Sequence, residues 1–198
     1  SGDGDSYGEG GNHFIHNIRR NVDIVQLVHN NQIYGLTKGQ GSPTTSKGQQ
    51  TSMQFEGTYL NPLKPLSIAI SAGATFVARS SAGDTVHLKE MIQKAINHKG
   101  YALVEILQPC VVFNKVNTYK WYKDRVYKLD ENYDPRNRYE AFKKAEEFGD
   151  EGIPIGVLYL DEGKESYHEV HPVLKSGVNL IDRQWEPHQA EKLIDEFL

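Results

Sequence analysis

The stretch ATFVARSSAGDTVHLKEMIQKAINHKGYALVEILQ, residues 74–108, decides the fold. Ala74 to Arg79 and Tyr101 to Gln108 are rich in β-branched, aromatic and aliphatic residues and read as strands. Between them Leu88, Met91, Ile92, Ala95 and Ile96 recur at helical spacing, with Asp84 or Thr85 placed to cap the helix and Gly100 to end it. A strand, a helix and a strand in one short run form a βαβ unit, which implies parallel strands covered by helices.

The same alternation continues on both sides. Upstream, Asn12 is placed to cap a helix whose Phe14, Ile15 and Ile18 share a face and which Asn21 ends; residues 22–29 then read as a mostly buried strand, and residues 63–72 as a helix ended by Gly73. Downstream, residues 138–148 read as a helix ended by Gly149, 155–160 as a strand and 187–197 as a terminal helix. The fold class is therefore α/β, a mostly parallel sheet with helices on both faces. Residues 1–113 form the α/β domain proper and 114–198 a C-terminal extension that completes it and contacts partner subunits. Ligands of such sheets gather at the carboxyl ends of the strands. Residues 37–54 are almost wholly Gly, Ser, Thr, Gln and Lys, and a polar loop that long in a compact domain points to function.

Composition narrows the function classes. The chain has 198 residues, a net charge of −4 and a single cysteine, Cys110. An acidic balance gives no general attraction for nucleic acid or anionic lipid, both of which need clustered Lys and Arg. One cysteine forms no internal disulfide and fits a reducing compartment. No apolar run approaches the roughly twenty residues of a membrane span. The reading is a cytoplasmic protein with no nucleic-acid or membrane partner. His13 and His16, and His168 and His171, are spaced three apart, but each pair lacks a further ligand and reads as helix-surface or loop residues. The stretch from Lys115 to Lys128 interleaves Tyr119, Trp121, Tyr122 and Tyr127 with five basic residues; a solvated extension packed on a partner is preferred to single-strand binding or to steering of an acidic redox partner.

The pattern that carries chemistry is Gly2-Asp3-Gly4, then Asn30-Asn31 after a further twenty-five residues. If Asp3 and Asn31 follow neighbouring parallel strands, the intervening helix and strand bring both to one sheet edge. Magnesium favours hard oxygen ligands and keeps phosphates and water in its shell, so one carboxylate, one amide oxygen and a diphosphate make a chemically sensible set. The glycines allow backbone amides to approach phosphates. Either half alone reads as a flexible acidic terminus or a polar turn; the two at this spacing read as a site. Since a phosphate-binding glycine loop normally follows a strand, that strand is expected outside this sequence or on another chain.

This spacing resembles the thiamine diphosphate signature. The wider runs Gly10–Asn21 and Asn30–Thr45 resemble the β subunit of 2-oxoacid:ferredoxin oxidoreductases, through about residue 113 and more loosely over 153–160. The resemblance implies a magnesium ion held by Asp3, by the side chain of Asn31 and by the backbone carbonyl of Ile33. Gly2, Gly4, Asp5 and the Gly35-Leu36-Thr37 turn would bind the cofactor, with Leu36 beside the substrate; on the residues alone Leu36 reads equally as a buried loop residue. Cys110 reads by itself as a small buried hydrophobe beside Val111, Val112 and Phe113, whereas the Gln-Pro-Cys context implies a ligand of a four-iron, four-sulfur cluster whose other ligands this chain lacks. The implied reaction is oxidative decarboxylation of a 2-oxoacid, 2-oxoglutarate or pyruvate, to an acyl-CoA with electrons passed to ferredoxin. The implied partners are the α subunit, which would bring the activating glutamate, coenzyme A and ferredoxin. No catalytic acid or base is assigned to this chain. Two alternatives stand beside this: the β component of a non-oxidative two-component 2-oxoacid decarboxylase, and a truncated interaction module without catalysis.

Overall fold

The centre of the molecule is set by strands apolar on both sides, which only a sheet covered on both faces can bury. The computed structural model describes residues 1–184 and 194–195. In it β1 (Ile24–Asn30), β2 (Phe76–Ser81) and β3 (Tyr101–Leu107) lie parallel, with β3 in the middle and every one of its residues buried. Ile24 pairs with Tyr101 and Asn30 with Leu107, while Phe76 pairs with Ala102 and Ser81 with Leu107, so the three carboxyl ends finish together. β4 (Val126–Lys128) pairs parallel with β5 (Ile153–Leu160), and β5 runs antiparallel to β2, giving the order β1-β3-β2-β5-β4. The alternation of helix and strand does not extend its parallel direction to β5.

Alternate residues of each strand serve opposite faces. Val28, Val77, Leu103 and Leu158 pack with Phe14 and Ile18 of α1 (Gly11–Arg20), Leu66, Ala69 and Ile70 of α2 (Pro65–Ala72), and Ala141 and Ala145 of α5 (Arg138–Glu146). Phe76, Ala78, Ala102, Val104 and Ile106 pack with Met91 and Ala95 of α3 (Thr85–Asn97) on the other face. Asp84 caps α3 by accepting from the His87 N–H at 3.0 Å. A short α4 (Tyr119–Lys123) and α6 (Tyr167–Val170) complete the helices described. The helix expected over 187–197 lies outside the described residues, apart from 194–195.

One turn ties three elements. Asn21 ends α1 in the left-handed conformation, φ 51°, with its side chain buried. Its Oδ1 accepts from the Thr75 hydroxyl and the Tyr101 N–H, both at 2.9 Å, and its Nδ2 donates to the Glu165 carbonyl at 3.0 Å. A Cβ on Gly100 would lie 2.6 Å from that Oδ1, so only glycine lets β3 start so close to this cap.

One expectation is corrected. The glycine-rich start is not a loop: Gly4–Glu9 forms a wide, π-type helical turn that runs into α1. Before it, Ser1 and Gly2 lie along β1, the His29 N–H donating to the Ser1 carbonyl at 2.9 Å and Gly2 bridging His29 in parallel.

Leu103 on the central strand is fully buried. Leu103→Ala is expected to cost about 2–5 kcal/mol in urea denaturation, the lost transfer free energy plus a cavity that two packed layers close only in part.

Candidate functional site

The parallel register puts the ends of β1 and β3 and the start of the chain at one edge of the sheet, where the polar loop from Asn31 onward folds back over them. Asp3 is the hub. Its carboxyl is 1% exposed, and its Oδ2 accepts from the Ser42 and Thr44 hydroxyls, each at 2.6 Å. Burial raises its pKa above the usual carboxylate value, against the pull of Ser42, Thr44 and the Asn31 N–H, which favour the ionised form. Among the described residues no basic side chain lies within ion-pair distance of it. A buried carboxylate surrounded by donors but without a cation is a strong place for a metal ion.

Asn31 and Ile33 lie on the same turn. Asn31 Oδ1 accepts from the Ile33 N–H at 3.0 Å, and the Asn31 carbonyl accepts from Asn114 Nδ2 at 3.0 Å. Ile33 is buried, and among the described residues no backbone N–H donates to its carbonyl. Between them Gln32 is completely buried with φ 58°, a strained conformation for a residue with a side chain. It is pinned by its own N–H to Asn30 Oδ1 at 3.2 Å, by the Thr45 hydroxyl on its carbonyl at 2.7 Å, and by its amide to the Tyr122 hydroxyl at 2.8 Å. Asn31 and Ile33 thus share one turn, and the Asn31 backbone N–H faces the Asp3 carboxylate. The donor set fits magnesium: three hard oxygens, one of them anionic.

The glycines behave differently from expectation. A Cβ on Gly4 would lie 2.1 Å from the ring of Tyr34, and one on Gly8 2.5 Å from its hydroxyl, so the space beside Gly4 holds a tyrosine. That hydroxyl donates to the Glu9 carboxylate at 3.2 Å, and burial together with Glu9 raises the Tyr34 pKa to about 12. The Gly2 N–H donates to Asp5 Oδ2 at 2.8 Å, occupying a group expected to face phosphate. Gly35, Leu36 and Thr37 form a turn closed by the Gly39 N–H on the Tyr34 carbonyl, and Leu36 is 98% exposed, not a buried loop residue. Gly39 at the base of that turn lies against Phe113, which puts the turn next to the Cys110 segment.

Cys110 is half-buried, but its neighbours Val111 and Val112 are 68% and 61% exposed, so the thiol is not a small hydrophobe inside a core. Burial pushes its pKa up, yet the N–H groups of Phe113, Asn114 and Val112 and the nearby Lys115 outweigh it and hold the thiol below its ordinary value. Backbone N–H groups aimed at a sulfur also stabilise metal-bound thiolates. Among the described residues no three His, Cys, Asp or Glu side chains converge, so neither histidine pair gains a third ligand.

The basic aromatic stretch is largely spent within the molecule. Lys120 pairs with Asp124, Arg125 with Asp150 and Lys128 with Asp84, Arg125 stacks on Trp121 at 4.5 Å, and Tyr122 is buried. Sequence reasoning missed the loop residues Ser42, Thr44 and Gln32 and the pair Arg79–Glu105 behind them; the only trace was a charged residue in each of two strands that are otherwise buried throughout.

A family model for the thiamine pyrophosphate enzyme, C-terminal TPP binding domain, matches residues 1–106, and one for the C-terminal part of the pyruvate ferredoxin oxidoreductase beta subunit matches residues 110–176. The 2-oxoacid:ferredoxin oxidoreductase subunit beta of Sulfolobus sp is 45% identical over 85% of this chain and 58% of its own length; subunit beta of enzyme 1 from Aeropyrum pernix is 44% identical, over 85% and 56%. The chain thus spans less than two thirds of these relatives. A solved 2-oxoglutarate:ferredoxin oxidoreductase from Magnetococcus marinus, with 2-oxoglutarate, coenzyme A and succinyl-CoA bound, superposes with a TM-score of 0.87 at 32% identity, over 97% of this chain and 65% of that one.

Two measurements test this local chemistry. In the isolated chain the rate of Cys110 alkylation should reach its half-maximum below the pH of roughly 8.5 typical of a free cysteine, because a lowered pKa populates the thiolate earlier; Lys115→Ala should move the midpoint up. Gly4→Ala should cost about 1–3 kcal/mol by forcing the Tyr34 ring aside, and the same substitution in a Tyr34→Ala background should cost less.

Proposed function

Because the chain belongs to the β subunits of the 2-oxoacid:ferredoxin oxidoreductases, within the thiamine pyrophosphate enzyme family, we propose that it supplies the magnesium and diphosphate half of a thiamine diphosphate site that decarboxylates a 2-oxoacid oxidatively. The observation that carries this is the Asp3 carboxylate, 1% exposed, hydrogen-bonded by two hydroxyls and, among the described residues, with no basic side chain in ion-pair distance. Asp3, Asn31 Oδ1 and the Ile33 carbonyl would hold the magnesium ion. Ser42 and Thr44 keep the carboxylate fixed, and its burial strengthens its attraction for a cation. When bound, thiamine diphosphate supplies the carbanion chemistry at the 2-oxo carbon, so this chain needs no nucleophile of its own.

The other half of the site, including the acid that activates the cofactor, belongs to an α subunit. The exposed Leu36, Val111 and Val112 lie beside the proposed cofactor edge and suit burial against such a partner. Cys110 furnishes one ligand of a four-iron, four-sulfur cluster, its thiolate held by the N–H groups of residues 112–114. Such a cluster, when bound, would supply one-electron transfer toward ferredoxin, with coenzyme A as the acyl acceptor. The 2-oxoacid would be 2-oxoglutarate or pyruvate, the acids named by the Magnetococcus enzyme and by the family model over residues 110–176.

In the assembled complex Asp3→Ala should abolish magnesium-dependent binding of thiamine diphosphate by calorimetry; undiminished affinity would remove the metal assignment. Cys110→Ser should erase the visible absorption of a four-iron cluster without releasing the diphosphate.

A further inference from the structure

Behind the metal motif sits an ion pair with no part in the chemistry above. Arg79 on β2 and Glu105 on β3 are register partners facing each other across the sheet, Nε to Oε2 at 2.7 Å, and are 2% and 1% exposed. Taking two charges out of water is costly, and an apolar pair of the same size would serve the sheet at least as well, as Val77 and Leu103 do nearby in the same register. What distinguishes this pair is where its remaining valences go. Arg79 donates from Nη1 to the Glu147 carbonyl at 3.3 Å, which anchors it to the end of α5. Glu105 Oε1 accepts from Asn30 Nδ2 at 3.0 Å.

That last bond decides which way the Asn30 amide points. With the NH2 group committed to a carboxylate, Asn30 Oδ1 must face the loop, where it meets both arms of the proposed metal site. One arm is the Thr44 hydroxyl, 2.9 Å from Asn30 Oδ1 and 2.6 Å from Asp3 Oδ2. The other is the Gln32 N–H at 3.2 Å, which holds the strained residue between Asn31 and Ile33. A flipped amide would turn a donor toward the Gln32 N–H and lose that contact, whereas the Thr44 hydroxyl, which accepts as well as donates, would keep its own.

We propose that Glu105, its buried charge balanced by Arg79, is a positioning residue for the metal motif, acting through the Asn30 amide to hold the strained Gln32 between Asn31 and Ile33. The proposal rests on the assignment of Asp3, Asn31 and Ile33 as ligands. It makes Asn30, the first asparagine of the pair, an orienting residue.

The test compares two double variants that delete the same charges. Arg79→Met/Glu105→Gln keeps an acceptor for Asn30 Nδ2; Arg79→Met/Glu105→Leu removes it. Both face a cavity of about 130 Å³ lined by Asn30, Thr44, Arg79 and Glu105, which spares the new side chains from overpacking. Any loss of stability from the missing ion pair is common to both. Mn2+ affinity of the assembled complex with thiamine diphosphate, read from the electron paramagnetic resonance of free Mn2+, should stay near wild type in the glutamine variant and fall about tenfold in the leucine variant, the worth of one hydrogen bond. Equal affinities in the two overturn the proposal. If the wild-type complex itself holds no Mn2+ with thiamine diphosphate, the ligand assignment fails first. Asn30→Ala, which leaves the ion pair intact, serves where a double variant does not assemble: a fall of about tenfold is expected, and undiminished Mn2+ affinity overturns the route from Glu105 through Asn30 to the Gln32 turn.

Discussion

A carboxylate buried among donors, with no counter-charge among the described residues, is the constraint around which this end of the molecule is organised. Asp3 cannot simply point to water: it is enclosed by Ser42 and Thr44 from the polar loop and by the backbone of Asn31 at the end of β1. Desolvation of that group must be offset by hydrogen bonds, by protonation or by a cation. The hydroxyls offset part of it. A divalent ion would complete it, with the free carbonyl of Ile33 and the Asn31 amide oxygen on the adjacent turn.

The sheet exists to make that meeting possible. Three parallel strands in step bring the first residues of the chain, the Asn30-Asn31 turn and the Cys110 segment to one edge, and the helices on either face leave that edge open. Rigidity reaches the site through polar contacts: Arg79 and Glu105 fix Asn30, Tyr122 and Thr45 fix Gln32, and Asn114 fixes Asn31. Exposed apolar residues on the same edge, Leu36, Val111 and Val112, leave this surface unfinished in the single chain.

Much of this was legible in the sequence because the strands are apolar on both faces and Asp84 and Asn137 cap α3 and α5; Asn12, expected to cap α1, instead lies inside it, behind Gly10. Residues 74–108 read correctly as strand, helix and strand, and Asp84 caps the helix as expected, but the helix stops at Asn97, short of Gly100, which serves the start of β3. The reversed β5 was not legible: a strand with both faces buried reads the same in either direction. The helical turn at Gly4–Glu9 escaped because glycines there suggest a loop, whereas Gly4 is required by a tyrosine thirty residues away. The spacing of Asp3 and Asn31 singled out the site, but the hydroxyls that hold Asp3 come from a loop of Ser, Thr and Gln in which nothing local separates one residue from another. Only tertiary structure selects Ser42 and Thr44.

The most direct measurement is the anomalous scattering of Mn2+ in crystals of the assembled complex grown with thiamine diphosphate. The account predicts one manganese peak bounded by an Asp3 carboxylate oxygen, Asn31 Oδ1 and the Ile33 carbonyl, with the diphosphate completing its shell. A manganese peak held by other residues, with Asp3 still bonded only to Ser42 and Thr44, would contradict it.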